Sequence, residues 1–144
     1  MHVVLHKNIR LSSSSFQINQ IDMTNKTGKL SPHALIEFDL MIKGDKDVSF
    51  FYGEIENNST VDKRFFHLKP EYGIEKLDKK SEFPIHIFYR KEKKYKALFL
   101  FNILEATLFN KDQIFLKELE IITGNLLGYS KEDIELYLEK NGLN

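Results

Sequence analysis

The hydrophobic period changes along this chain, and that change limits the fold more than any single motif does. Up to about residue 100 the apolar residues recur chiefly every second position, the spacing of strands that send alternate side chains into a core. Beyond residue 110 they recur every three to four, the spacing of a helix face. The clearest alternation sets Ile36, Phe38, Leu40 and Ile42 against Glu37, Asp39, Met41 and Lys43. Gly44-Asp45-Lys46-Asp47 supplies turn chemistry, and Val48 to Glu56 reads as a second strand that ends at Asn57-Asn58-Ser59-Thr60. A four-residue turn pairs Lys43 with Val48, Met41 with Phe50, Asp39 with Tyr52 and Glu37 with Glu54. The opposite face of that hairpin is then almost wholly apolar, with Gly53 across from Phe38.

Further short strands are expected within residues 1–11, at 16–20 and over 64–68. Another is expected from Phe83 to Arg90, with Pro84 tolerated near its start. Glu71 to Glu82 reads as a polar loop. The apolar run Tyr95–Asn102 suits a buried strand or a buried helix. The charged loop Lys91-Glu92-Lys93-Lys94 before it favours a hairpin strand. Asn110 with Gln113 matches a capping box, followed by a stripe of Phe115, Leu119, Ile122 and Leu126, with Gly124 and Gly128 bounding the helix. Ser130 with Asp133 marks a second cap before Ile134, Tyr137 and Leu138, and Gly142 marks a stop. The expected fold is α+β: an antiparallel sheet of about five or six strands followed by two C-terminal helices packed on one face. One domain over 1–144 accounts for the length, and no internal repeat is visible.

Composition excludes some chemistry. The chain has no cysteine, so disulfides, thiolate metal sites and cysteine nucleophiles are ruled out. Twelve Phe and six Tyr supply large burial and suit a pleated surface. Lysine outnumbers arginine by eighteen to three, a bias that the low-GC genomes of many bacteria and phages produce. The bias also argues against phosphate recognition by arginine forks, so nucleic acid is not the expected partner. Net charge is zero, but residues 61–96 hold eleven basic and six acidic residues while 97–144 hold four and eight. Segregation of this kind either pairs internally or steers a charged partner. Neither a signal-like run at Met1–His6 nor a spanning segment is visible, so a cytoplasmic setting without membrane is expected.

Phosphate loops, nucleophile elbows and His-Glu-x-x-His helices are absent from the sequence, and no cofactor or metal site is expected. His2 and His6 have helical metal spacing on a segment that reads as strand. The most specific grouping follows from the hairpin register. Glu37 and Glu54 would face each other beside Asp39, with Phe50 and Tyr52 on the same face. Like charges directly opposed cost stability, so the pair would need a purpose such as proton transfer or binding. His86, facing away from Ile85 and Ile87, is the histidine most suited to a functional surface. Glu37, Asp39, Phe50, Tyr52, Glu54 and His86 are therefore the candidate binding residues. The function expected is a non-catalytic protein-binding module of the inhibitor, immunity or adaptor type, with another protein or a second copy as partner. The alternatives are a small enzyme using the acidic cluster and a nucleic-acid binder using Arg90–Lys96.

Overall fold

The computed structural model describes residues 32–110 and 114–144. Its elements are α1 (Glu37–Lys43), β1 (Val48–Tyr52), β2 (Ile74–Lys76), β3 (Ile85–Arg90), α2 (Lys94–Leu108), α3 (Leu116–Leu126) and α4 (Lys131–Lys140). Single 3-10 turns occupy Lys63–Phe66, Pro70–Tyr72 and Lys91–Lys93. The α+β class and the antiparallel sheet are as expected. The sheet has three strands among the described residues, in the order β1-β3-β2, not five or six. The strands expected within 1–11 and at 16–20 lie outside the described residues.

The alternating segment 36–43 is a helix, so the hairpin with residues 48–55 does not form. Phe38 and Met41, three apart, also fit a helical face, and both are buried along with Glu37. Gly44 is compatible with the helix as well as with a turn. It takes φ 86 and its N–H bonds back to the helix carbonyls, so the residue that reads as a hairpin turn is a helix C-cap. The partner of β1 is instead β3, with Val48, Phe50 and Tyr52 opposite Tyr89, Ile87 and Ile85. Ser49 and Phe51 pair with Phe88 and His86 on the other face. β1 stops at Tyr52 because Gly53 turns the chain at φ 73.

β3 is central and explains a second difference. Its edges are taken by β1 and β2, so a hairpin strand at 95–102 would have no backbone to pair with. The chain makes one 3-10 turn and enters α2 instead. β2 was hidden in a polar loop because it is three residues long and buries only Ile74. The expected strand at 64–68 is a 3-10 turn, started by Asp62, whose carboxylate accepts from the Arg64 N–H.

Both sheet faces are covered. Val48, Phe50, Ile85, Ile87 and Tyr89 pack under α2, the turn after α3, and α4, against residues such as Leu100, Leu104, Leu127 and Tyr137. Phe51, Phe88 and Ile74 pack on the other side against Phe38 and Met41 of α1 and against Ile55, Val61 and Phe65. Phe65 lies edge-on to Phe38 and Phe51 at centroid distances of 5.0 and 5.2 Å. Each such aromatic pair contributes about 1 kcal/mol beyond its burial. The C-terminal helices are three rather than two, all on one face.

The last two helices follow their caps unevenly. Ser130 accepts from the Asp133 N–H at 3.1 Å, as the sequence implied, and Gly142 stops α4 at φ 68. In α3 the buried residues are Leu116, Glu120, Thr123 and Gly124, one step round from the expected stripe. Gly124 is a contact and not a boundary: a Cβ there would meet Ile134 Cγ1 at 2.7 Å, so its absence lets α4 approach. The Asn110 side chain donates to the Ile114 carbonyl and does not cap the helix, while Gln113 lies outside the described residues.

Candidate interaction face

With the hairpin gone, the six sequence candidates do not share a face. Glu37 is buried on the inner side of α1. Asp39 is exposed on the same helix and accepts from Arg64 Nη2 at 2.9 Å, while Asp62 takes the same guanidinium at 2.7 Å. Glu54 is exposed beyond the end of β1. Phe50 belongs to the core under α2. Tyr52 follows it on that face, half-buried beside Phe83, with burial pushing its hydroxyl pKa well up. His86 is on the opposite sheet face, where Nε2 donates to the Gly53 carbonyl at 2.8 Å. Burial, aided by Lys76, lowers its pKa despite that bond, so the ring is neutral at pH 7.

The basic run 90–96 is largely paired. Asp47 receives Lys96 at 2.5 Å, Arg90 at 3.5 Å and Lys93 at 3.8 Å, and Arg90 also meets Glu92 at 2.7 Å. Burial opposes ionisation of Asp47, but the three cations outweigh it and hold its pKa below the ordinary value. Lys91 and Lys94 remain exposed beside Tyr95. Pairing on one carboxylate anchors the start of α2 to the start of β1 and takes three charges away from any phosphate partner.

A second charged cluster escaped the sequence reading. Lys46, read there as a turn residue, is only 2% exposed. Its Nζ donates to the Leu127 carbonyl at 2.6 Å and to His33 Nδ1 at 2.8 Å, and it lies 4.9 Å from the Tyr129 ring centroid. Leu127 is the C-cap of α3, where unpaired carbonyls concentrate negative potential. Burial lowers the Lys46 pKa to about 8, partly offset by Glu37. Burial and the adjacent cation lower His33 to about 3. Lys46 joins the α1–β1 turn to the α3–α4 turn. Among the described residues no three His, Asp or Glu side chains gather as a metal site requires.

Eight large apolar side chains are exposed among the described residues, and five of them fall between positions 95 and 115. They are Tyr95, Phe99, Phe109, Ile114 and Phe115, with 41% to 70% of each accessible. The inner side of α2 buries Ala97, Leu100, Phe101, Leu104, Thr107 and Leu108. Its exposed positions from Tyr95 onward are Tyr95, Phe99, Asn102 and Ala106, followed by Phe109 at its C-cap. Steps of four, three, four and three put all five on one stripe facing away from the core. A helix apolar on both sides is ordinarily buried on both. The same residues misled the strand reading, because an apolar run without a polar face carries no period.

The chain is thus an α+β protein whose described residues form a three-stranded antiparallel sheet, with helices over one face and α1 with loop residues over the other. No family model, no curated protein and no solved structure matches it. No helix among the described residues is long and apolar enough to cross a membrane.

Proposed function

We propose that this chain works by binding another polypeptide, as a non-catalytic module of the inhibitor, immunity or adaptor kind. The supporting observation is the concentration of exposed aromatic and aliphatic side chains on the outer side of α2 and the segment entering α3. Large exposed apolar patches mark contact surfaces, and aromatic side chains supply most of the anchoring energy in such contacts. Phe109 is supported from behind by Phe83, at a centroid distance of 6.0 Å, and Phe83 in turn by Tyr52 at 6.5 Å. Tyr52 thereby enters the reading as a residue that props the face. The enzyme alternative needed Glu37, Asp39 and Glu54 on one hairpin face, and no observation now favours it.

The test is affinity capture from the native host with the wild-type chain and with a Phe99→Asp/Phe115→Asp variant. A stoichiometric partner held by the wild type and lost from the folded variant supports the reading, whether that partner is a different protein or another copy. Identical capture by both chains, or a catalytic turnover that needs no partner, overturns it.

A further inference from the structure

We infer that the outer stripe of α2 is a self-association seam, on which a second copy of this chain docks with its own α2 antiparallel. The inference rests on reading the α2 face as a contact surface, and names the occupant. Three features of the stripe carry it. Its steps of four and three are those of a coiled-coil seam, continued over two repeats. Its middle member is Asn102, with two apolar positions on either side. A lone polar residue in an apolar seam fixes register at a cost in stability, because any other alignment buries its amide against an apolar side chain. The stripe is also unequal about that centre: Tyr95 and Phe99 are large, while Ala106 is small.

These inequalities select the direction. A two-fold axis through Asn102 and perpendicular to α2 opposes Phe99 to Ala106 of the second copy and Tyr95 to its Phe109. Large then meets small, and every contact occurs twice, as an isologous interface requires. Parallel pairing would set Phe99 on Phe99, leave a gap at Ala106, and bring the exposed Lys91 and Lys94 against their own copies. Antiparallel pairing moves those lysines to the C-terminal end of the second α2, where unpaired carbonyls favour cations and where Glu105 lies in the last turn. Ile114, whose carbonyl the Asn110 side chain holds, and Phe115 are exposed where the chain enters α3. Taking roughly 200 Å² per large side chain and the observed exposures, Tyr95, Phe99 and Phe109 offer on the order of 300 Å² per copy. Two copies bury on the order of 600 Å² along the stripe, below the usual size of a permanent interface, so the dimer is a weak and reversible one.

The test uses the full chain in sedimentation equilibrium from about 1 to 500 μM, a range set by the small interface. The wild type is expected to be a reversible dimer. Phe99→Asp and, independently, Ala106→Phe should each weaken it by roughly 30-fold or more, as loss of a central aromatic contact does. Both positions face outward, and circular dichroism of the variants checks that the fold is kept. Because the chain has no cysteine, single cysteines report direction without background. Oxidation should link Asn102→Cys to itself, and Tyr95→Cys to Phe109→Cys in a mixture, but leave Tyr95→Cys alone unlinked. A dimer indifferent to both seam variants, or self-linking of Tyr95→Cys, overturns the pairing. A monomer throughout also overturns it. If that monomer still captures a different protein through Phe99 and Phe115, the contact-surface reading survives; if it captures none, both fall.

Discussion

Replacing Lys46 with methionine tests the strongest electrostatic statement the structure makes. Methionine keeps the length and apolar stem of lysine while removing its charge. In the folded chain burial lowers the Lys46 pKa from 10.5 to about 8. Between those two pH values the unfolded chain holds a proton on this amine that the folded chain has released. Unfolding therefore takes up a proton, and stability rises with pH across the window at about 1.4 kcal/mol per unit. The gain totals about 3 kcal/mol, fully present above pH 10.5 and lost as pH falls through 8. At pH 7 the wild type bears the cost of a buried cation, offset by its bonds to Leu127 and His33. Lys46→Met removes both and should lie within about 2 kcal/mol of wild type there. At pH 10 the neutral amine keeps its partners at little cost, and wild type should pull ahead by about 2 to 3 kcal/mol relative to that difference. The assay is urea denaturation of both chains at intervals from pH 7 to 10. Subtracting the two curves cancels Tyr52 and Tyr89, whose raised hydroxyl pKa values work against the folded state only at still higher pH. A difference that is flat with pH, or that falls, would refute the assignment of Lys46 as a desolvated cation.

Two other perturbations probe the packing of α3. Glu120 is 2% exposed, and its Oε2 has no hydrogen-bond partner. Burial raises its pKa well above 4.5, so its contribution to stability is complete below pH 4.5 and declines as pH rises toward the folded value. Glu120→Gln should therefore match wild type near pH 4.5 and exceed it in thermal midpoint at pH 9; equal midpoints at pH 9 would contradict the burial argument. Gly124→Ala gains about 1 kcal/mol of helix propensity but drives a methyl into Ile134. A net loss of about 1 to 2 kcal/mol by denaturant midpoint is expected, and a stabilised variant would show that α4 yields easily.

Asp47 and Lys46 share a turn and illustrate how neighbouring charges acquire different fates. Asp47 keeps solvent contact and collects Arg90, Lys93 and Lys96, which draws the head of α2 onto the end of the sheet. Lys46 points the other way, into the α3–α4 turn. Together they hold the layer over one sheet face to the first strand, and they fix the direction in which α2 presents its outer stripe. The excess positive charge of residues 61–96 is thus partly spent inside the molecule, so the exposed remainder beside Tyr95 is Lys91 and Lys94.

The readings that succeeded were those that needed only local chemistry. Ser130 before Asp133 caps α4 because a hydroxyl and an N–H three residues apart meet whatever surrounds them. Pro84 stands just ahead of β3 because it cannot donate to the ladder, and Gly142 ends α4 because it enters the left-handed region freely. The readings that failed depended on which surface a segment would meet. Ile36–Lys43 carries a period of two and a helical pair at once, and packing of Phe38 and Met41 beneath Phe51 and Phe88 chose between them. Tyr95–Asn102 became helix because β3 had no free edge. The stripe of α3 lay one residue off because Gly124 set which side could approach Ile134. The grouping of Glu37, Asp39 and Glu54 fell with the hairpin, whereas the outer stripe of α2 was invisible until the inner side was known. Caps and stops were thus legible in the sequence by itself, since their hydrogen bonds close within one turn. Register, facing and exposure belong to the tertiary structure, because each depends on residues tens of positions away competing for the same edge or surface.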